Sequence, residues 1–436
     1  MNTKRILSGF LSLLCLCATA QTYTLRQCVE CAIQQNVDVK RAESTQRLQE
    51  INLSTARNAR LPNLSGSAGQ NWNFGRSLTI DNTYANYNTA QTSFSLSTSV
   101  PLFTGFQIPN NTALAKLNLE AAIEDVYTLK DNLSIQVAQA YLTVLFNKEL
   151  RQTAEAQVTL AKQQLDRKQA FADVEKATAS DVAEAKSLVA QRELTAVQAA
   201  NDYDMAVLDL VQLMEIAMTN DFQVADIPDT ELNMLIEKPE EVYRIALTQR
   251  HNIKAAELRI ESAEKSIKLA KSQYYPQLNF NAGIGTGYYH TSGLPSASFG
   301  TQMRENFSQY LGLTLSVPIF NRLQTRNSVR RAQEERLSSQ LALDKEQINL
   351  FKEIQQAYYS VVSAKKKYAS SQTALKASEE AFNLTRGRYE HGKATATEFA
   401  EAQYNVMLAT SEMLKAKYEA IFRHKILNFY KGAEME

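Results

Sequence analysis

The sequence is poor in the residues from which many functional sites are built. Only 14 of its 436 residues are glycine, 8 are proline, 4 are cysteine and 4 are histidine. The histidines are scattered without the spacing of metal ligands. No glycine-rich phosphate loop leads from a predicted strand into a helix. We therefore predict no metal, no cofactor and no enzymatic activity. The histidines are His251, His290, His391 and His424.

The chain also lacks an excess of charge of one sign. Lysine and arginine number 47 against 46 aspartate and glutamate, so the formal net charge is +1. Nucleic-acid binding rests on a basic surface that neutralises phosphates. A balanced chain gives no reason to expect a nucleic-acid partner or a basic membrane-surface patch.

Long hydrophobic runs are missing too, apart from a short one near the N-terminus. Lys4 and Arg5 precede the apolar run from Ile6 to Cys17, and Ala18-Thr19-Ala20 follows it. This order is typical of a secretory signal peptide, which we predict at residues 1–20. The run is shorter than the ~20 apolar residues that a spanning helix needs.

The four cysteines leave two questions open. A lipid anchor at Cys15 or Cys17 is an alternative to cleavage, although leucine precedes each cysteine where a small residue is expected. Cys28 and Cys31 lie within an apparently amphipathic helix. We interpret them as a structural pair, either reduced or bridged, rather than as a redox site.

Glycine and proline are unevenly distributed, and their gaps mark helices. No glycine occurs between Gly105 and Gly283, or between Gly312 and Gly387. Apolar residues recur every three or four positions in these tracts, which is typical of one helix face. We predict long helices over about 109–172 and 324–389.

The glycine-containing blocks alternate apolar and small polar residues with a period of two. Phe94, Leu96 and Thr98 alternate with serines, and in the second block Leu311, Leu313 and Leu315 alternate with the small or polar residues Gly312, Thr314 and Ser316. This pattern predicts paired strands within about 63–103 and 277–320. Aromatic-rich loops over about 73–90 and 289–308 separate the strands.

The chain is a tandem duplication. Val100-Pro101-Leu102-Phe103 returns as Val317-Pro318-Ile319-Phe320, an offset of 217. Nearer the start of each repeat the offset is 214, as for Pro62 and Pro276. We predict a first repeat at 21–218, a linker at 219–240 and a second repeat at 241–436. Each repeat is helix, strand, strand, long helix, turn and helix.

Strands with one apolar and one small polar face match those of transmembrane barrels, and a soluble β-hairpin is the alternative. If the strands face lipid, no open sheet edge is tolerated, because unpaired backbone groups cost several kcal/mol each. Four strands do not close a barrel, since eight is the usual minimum. Several copies must then share one barrel, and three copies supply twelve strands.

This doubled plan, with Val-Pro-Leu-Phe and Val-Pro-Ile-Phe at the strand-to-helix passages, resembles the TolC-like outer-membrane efflux factors. The resemblance covers essentially the whole mature chain. It implies a homotrimer in the outer membrane of a Gram-negative bacterium. A twelve-stranded β-barrel in outer-membrane lipid would continue into a long periplasmic α-helical barrel. It also implies a passive exit channel for efflux or type I secretion, with a periplasmic adaptor protein and an inner-membrane transporter as partners.

The same resemblance assigns roles to the turn between each long helix and the next, which forms the periplasmic tip. Adaptor docking is implied for Val174, Glu175, Lys176 and Gly392. Gly392 also suits a helix end on physical grounds. Glu175 stands where the family usually has glycine, which weakens the expectation for the first turn.

Constriction and gating residues are also implied. Glu398 and Glu401 match an inward-pointing acidic pair, and three copies would ring the opening with six carboxylates. A solvated helix face is the alternative. Asp181, Lys393 and Thr395 are assigned to the gate. The usual arginine partner of Asp181 falls at Ala394, so the family's closing salt bridge is not expected here.

A different class of function remains as an alternative, namely a soluble periplasmic coiled-coil scaffold or adaptor. Such proteins also carry helical hairpins. The two aromatic-flanked strand blocks favour the channel interpretation.

Overall fold

The structure is a computed structural model that describes residues 22–78, 82–218, 222–227, 236–433 and 435. The predicted signal peptide at 1–20 lies outside the described residues, as do 219–221 and 228–235 of the predicted linker. Among the described residues the chain is mainly helical, with one larger sheet and two small ones.

The helices follow the duplicated order. The two longest helices, α3 (Gln107–Asp173) and α8 (Gln324–Glu390), each have 67 residues and match the predicted helices to within two residues. The nine helices of the described residues are α1 (Leu25–Gln35), α2 (Val37–Asn58), α3 (Gln107–Asp173), α4 (Ala179–Met214), α5 (Pro239–Gln249), α6 (His251–Ser272), α7 (Phe299–Glu305), α8 (Gln324–Glu390) and α9 (Ala396–Tyr430).

The strands form the two predicted hairpins and some short additions. In the part of the chain that the structure describes they are β1 (Thr22–Tyr23), β2 (Asn63–Asn73), β3 (Arg76–Leu78), β4 (Tyr84–Asn86), β5 (Thr89–Phe103), β6 (Gln223–Val224), β7 (Gln277–Thr291) and β8 (Ser308–Ser316). The loops between the hairpin strands are partly ordered, because β3 pairs with β4 and α7 precedes β8.

The main sheet has four antiparallel strands in the order β2-β5-β7-β8. One face carries serines and other small polar residues, and Ser67 Oγ lies 2.7 Å from Ser95 Oγ across it. The other face carries the alternating apolar residues. On the serine face, Gly283 leaves space for the ring of its cross-strand neighbour, since a Cβ there would lie 2.6 Å from Tyr310. The sheet thus has the two-faced pattern expected from the sequence.

The chain folds into two compact units, and each combines pieces of both sequence repeats. One unit contains residues up to Ser44, Glu124–Lys254 and residues from Asp344 onward. Its core joins α1, the middle of α3, the end of α4 and the end of α9. Fully buried members include Cys28, Tyr141, Leu210 and Ile421.

A short parallel pair of strands lies in the same unit. β1 pairs with β6 through Thr22 and Gln223, and through Tyr23 and Val224. The hydroxyl of Tyr141 on α3 donates to the carbonyl of Ala225 at 2.6 Å, next to this pair. Burial, together with nearby acidic groups, raises the pKa of Tyr141, so the hydroxyl keeps its proton as a donor.

The other unit contains Thr45–Ile123 and Ala255–Leu343, and it holds the four-stranded sheet. Its helices are joined by polar contacts. Ser262 Oγ donates to Asn118 Oδ1 at 2.6 Å, and Arg336 Nη2 lies 3.0 Å from Glu264 Oε1. At the passage from β5 to α3, the rings of Phe106 and Tyr275 meet edge to face at 5.8 Å.

The two cysteines of the described residues, Cys28 and Cys31, are both free thiols. Burial, and to a smaller extent the neighbouring Cys31, raises the pKa of Cys28 to about 12, and burial also raises the pKa of Cys31. A protonated, buried thiol is a poor nucleophile, which agrees with a structural pair in its reduced form.

Over the described ranges, no helix combines the length and the apolarity needed to cross a membrane.

Candidate functional site

The turn between α3 and α4 is closed by backbone hydrogen bonds. The N–H of Glu175 donates to Ala172 O at 2.9 Å, and that of Lys176 to Phe171 O at 2.8 Å. This pair of bonds is a Schellman motif, which requires a left-handed residue after the helix end. Glu175 takes that position with φ of 60°. A non-glycine residue is therefore held where glycine is favoured.

The turn between α8 and α9 has the same geometry with the favoured residue. Gly392 has φ of 70° and donates to Tyr389 O at 3.0 Å, while Lys393 N donates to Arg388 O at 2.7 Å. The glycine ends the helix as its sequence position predicts. Glu175 and Gly392 are equivalent under the offset of 217, so the two turns are one structure built twice.

A capping box begins the helix after each turn. Thr178 caps α4 with Asp181 as the reciprocal partner, and Thr395 caps α9 with Glu398. Thr395, which the family resemblance assigns to the gate, is thus the N-cap of α9. Asp181 and Glu398 therefore each hold a helix start, a role that was not predicted for them from the sequence.

The Asp181 carboxylate also binds a lysine that was not identified from the sequence. Lys168 Nζ, near the end of α3, lies 3.2 Å from Asp181 Oδ1. Hydrogen bonds from the Thr178 hydroxyl and N–H, and then from Lys168, lower the pKa of Asp181 to about 2. Lys168 thus pairs with Asp181, for which Ala394 offers no partner. The only sequence signal for Lys168 was its place in the last turns of α3.

Lys168 connects the first turn to the second. Its ammonium lies 5.2 Å from the centroid of the Tyr389 ring at the end of α8. Burial opposes the charged ammonium, but hydrogen bonds to Tyr389 and Asp181 outweigh that effect and raise the pKa of Lys168. Tyr389 stacks on the buried Phe399 of α9 at 4.8 Å. One lysine thus joins α3, α4 and α8 at the tip.

Glu398 and Glu401 lie together, as their spacing predicts. Both line a groove of about 420 Å³ between α8 and α9, with Arg388 across it. Glu398 Oε2 accepts from the N–H of Thr395 at 2.7 Å, and Oε1 lies 3.8 Å from Arg388 Nη2. These donors, the Thr395 N–H foremost, lower the pKa of Glu398, so it is ionised at neutral pH.

The remaining predicted tip residues are exposed. The Val174 side chain is 59% exposed, and Lys176 and Lys393 also face solvent. The carbonyl of Lys393 accepts a hydrogen bond from Arg388 at 3.1 Å. In the described part of the chain, no cluster of three or more His, Cys, Asp or Glu residues is placed to hold a metal.

A two-faced sheet and two equivalent helix–turn–helix hairpins in one chain define a class of protein, the membrane channel with a helical extension. The family model described as "Outer membrane efflux protein" matches residues 29–214 and 242–423. The chain therefore belongs to the outer membrane efflux protein family, whose members are channel and transport proteins.

Curated relatives agree over nearly the full length. The outer membrane efflux protein BepC of Brucella suis is 22% identical over 404 residues, which span 92% of this chain and 84% of BepC. The outer membrane protein TolC of Escherichia coli is 22% identical over 420 residues, which span 94% of this chain and 81% of TolC.

The fold is shared with solved outer-membrane channels. The CmeC outer membrane channel of Campylobacter jejuni superposes with a TM-score of 0.75 at 17% identity, over 94% of this chain and 86% of CmeC. The fold class is that of a β-barrel with a helical barrel. The chain is an outer-membrane efflux channel with a periplasmic helical part, rather than a soluble scaffold.

Proposed function

We propose that three copies of this chain close one twelve-stranded barrel and form a passive exit channel. The observation that carries the proposal is the four-stranded sheet, in which β2 and β8 each pair on one side only among the described residues. Their free edges present backbone N–H and C=O groups, which lipid cannot satisfy. Pairing β8 of one copy with β2 of the next removes every edge, and three copies supply twelve strands.

The apolar face of the sheet supports contact with outer-membrane lipid. Alternate residues of β8 are large, apolar and strongly exposed in the single chain. Exposed apolar surface of this extent marks a lipid or protein contact. Its members on β8 are Leu311 (79%), Leu313 (66%) and Leu315 (63%).

The tip supports docking of a periplasmic adaptor protein, which would connect the channel to an inner-membrane transporter. Val174, Glu175, Lys176 and Gly392 lie on two turns of equal geometry. A trimer would therefore present six similar turns to its adaptor. Membership of the efflux family is what makes an adaptor and a pump the expected partners.

The gate of the channel lies at the same tip in this proposal. Thr395 and Lys393 belong to the second turn, and Asp181 is held by Lys168. The bond of Lys168 to Asp181 ties α3 to α4 within the first hairpin, and the contact of Lys168 with Tyr389 joins that hairpin to the second. In this proposal Lys168 takes the role of the family's arginine partner of Asp181, because alanine stands at position 394.

We assign the selectivity of the opening to Glu398 and Glu401. Three copies would place six carboxylates near one opening, which favours cations. The test is the double change Glu398→Gln and Glu401→Gln in single-channel recordings from planar bilayers. The expected result is a loss of cation selectivity at unchanged channel assembly.

A matched control is Glu334→Gln with Glu335→Gln, which removes two exposed carboxylates near the start of α8, far along the helix from the tip. This control should leave the reversal potential in a salt gradient unchanged. Unaltered cation selectivity in the Glu398 and Glu401 double variant would overturn the assignment.

A further inference from the structure

The helices of the unit that holds the four-stranded sheet are strongly basic where they meet the sheet. Three segments border the strands at this end, namely 51–61, 265–276 and 321–333. Together they contain nine lysine or arginine residues and no aspartate or glutamate. The net charge of +1 for the whole chain hides this local excess. We call the nine residues the basic collar: Arg57, Arg60, Lys265, Lys268, Lys271, Arg322, Arg326, Arg330 and Arg331.

The basic collar occupies one narrow level of this unit. α2 ends at Asn58, α6 ends at Ser272 and α8 begins at Gln324. The strands that adjoin these helix termini meet at one end of the sheet, since Gln277 at the start of β7 pairs with Ser316 at the end of β8. At about 1.5 Å per residue, each collar residue lies within about 10 Å of a helix terminus. The nine charges therefore form a band beside one end of the sheet.

The chain supplies no counter-charges to the basic collar. Eight of the nine side chains are exposed, and Lys265 is half-buried. Within the described ranges, none of the nine has an acidic residue at ion-pair distance. The nearby ion pairs lie further along the helices and join Arg336 with Glu264 and Lys116 with Glu120. Like charges gathered without counter-charges repel one another, so an anionic partner would stabilise this band.

The surroundings of the basic collar indicate that this partner is a membrane surface. On the sheet side of the collar, Leu278 and Leu315 pair across β7 and β8 on the apolar face, and Leu315 is 63% exposed. Aromatic rings lie between that face and the helices, because Tyr274 follows α6 and Phe320 precedes α8. These rings are 55% and 77% exposed. Apolar, aromatic and basic side chains follow in the order of hydrocarbon, membrane interface and headgroups.

The sequence at the opposite end of the sheet has no such excess of basic residues. The loop segments 73–89 and 291–307 each contain one arginine and one acidic residue. The positive charge is therefore concentrated at the end of the sheet that adjoins the long helices. A partner for it must lie on that side of the membrane.

We propose that the basic collar binds the headgroups of anionic phospholipids in the leaflet that borders the periplasm. The inference rests on the proposed barrel and adds a lipid-binding site to it. The headgroup region is about 5–7 Å thick on each side of a bilayer, and long basic side chains extend across such a distance. Six of the nine collar residues are arginine. The guanidinium group binds phosphate oxygens through two parallel hydrogen bonds, which favours phosphate headgroups over other anions.

Quenching of tryptophan fluorescence by brominated lipids tests the proposal at both ends of the sheet. The chain has one tryptophan, Trp72, which is 63% exposed near the far end of β2. Tyr274→Trp combined with Trp72→Phe moves the reporter next to the basic collar. Full-length protein of each form is reconstituted in phosphatidylcholine vesicles. The vesicles contain a minor fraction of either brominated phosphatidylglycerol, which is anionic, or brominated phosphatidylcholine, which has no net charge.

The anionic lipid should quench the reporter at position 274 more strongly than the zwitterionic lipid does. One basic residue close to an anionic lipid surface favours association by about fivefold. We therefore expect a preference of at least about fivefold in low salt. At about 1 M salt the screening length is only about 3 Å, so the preference should fall severalfold. The native Trp72 should show no preference between the two lipids.

Neutral collar variants connect the preference to the collar charges. The triple change Lys271→Gln, Arg326→Gln and Arg330→Gln should lower the preference at position 274 severalfold. Glutamine has nearly the helix propensity of lysine and arginine, so the helices should be kept. Quenching by the zwitterionic lipid shows in the same samples whether the variant still inserts.

A matched control removes three exposed lysines from a later part of α8, outside the collar. The changes are Lys365→Gln, Lys366→Gln and Lys376→Gln. This control should keep the full preference for the anionic lipid at position 274.

The outcomes separate the lipid site from the barrel on which it rests. Equal quenching at position 274 by the two lipids overturns the lipid site, while quenching of Trp72 keeps the barrel in lipid. A preference that survives the triple collar change also overturns the site. Quenching of Trp72 without any quenching at position 274 would place the collar away from lipid and overturn the proposal. No quenching at either reporter overturns the barrel, and the lipid site with it.

Discussion

The two tip turns have the same backbone conformation and differ at the residue with positive φ, which is Glu175 in the first turn and Gly392 in the second. Substituting these residues therefore measures the backbone strain at that position. An L-residue in the left-handed region costs about 1–2 kcal/mol. Glycine removes this cost, but it lowers the stability of the folded state by about 0.5–1 kcal/mol because it increases the conformational entropy of the unfolded chain. Glu175→Gly should therefore stabilise the first turn by about 0.5–1 kcal/mol. Gly392→Ala should destabilise the second turn by a similar amount.

Hydrogen exchange with mass spectrometry reads these changes locally. The Lys176 and Lys393 amides donate the closing bonds of the two turns. A change of about 1 kcal/mol alters the opening equilibrium about fivefold. Glu175→Gly should slow exchange in peptides across the first turn by up to about fivefold. Gly392→Ala should accelerate exchange across the second turn, and each variant should leave the other turn unchanged.

Gly392→Asn is the matched control, because asparagine tolerates the left-handed region better than alanine. It should accelerate exchange less than Gly392→Ala does. Unchanged exchange in Gly392→Ala, or faster exchange in Glu175→Gly, would refute the strain argument.

Three further predictions concern other parts of the molecule. The pKa of Asp181 is lowered to about 2 from 3.8, so its contribution to stability is present above pH 4 and is lost as the pH falls toward 2. Asp181→Asn should therefore make the unfolding temperature depend less on pH over this window. An unchanged slope of unfolding temperature against pH would contradict this role of Asp181. Arg192 is 7% exposed and its Nε has no hydrogen-bond partner. Arg192→Met should therefore stabilise the protein by about 1 kcal/mol in thermal unfolding, whereas Lys186→Met at an exposed position of α4 should not. A lower unfolding temperature of Arg192→Met would count against this prediction. Leu323→Asp should shift the native mass toward monomer, whereas Leu294→Asp in an exposed loop should not. Equal trimer content in the two variants would argue against an apolar contact between copies at Leu323.

Features set by local pattern could be predicted from the sequence. The long helices follow from tracts without glycine, and the strands follow from alternation, because both patterns arise within a few neighbouring residues. The break between α1 and α2 was missed although it carries a local signal. Asn36 Oδ1 accepts from Asp38 N at 2.9 Å and from Val39 N at 3.2 Å, the bonds of an N-cap.

Features set by contacts between distant segments could not be predicted. The pairing of β1 with β6 involves two residues on each side. Next to it, the hydroxyl of Tyr141 on the distant helix α3 donates to the carbonyl of Ala225. The bond of Lys168 to Asp181 depends on how α3 and α4 pack after the turn. Periodicity identifies which residues lie on one helix face, but not which of them meets a residue of another helix.

Functional roles at the tip came from the family resemblance, and the structure adds competing local roles. Asp181 and Glu398 each complete a capping box, so their carboxylates are engaged within their own turns. A single chain with this arrangement needs no partner to order its helix starts. The gating and selectivity roles that we propose for them therefore depend on the assembled channel.

The native mass of the full protein in mild detergent tests the central claim most directly. Light scattering corrected for bound detergent should give three times the mass of the processed chain, because three four-stranded sheets close one barrel without free edges. A monomer that stays soluble without detergent would contradict the shared barrel and the channel built on it.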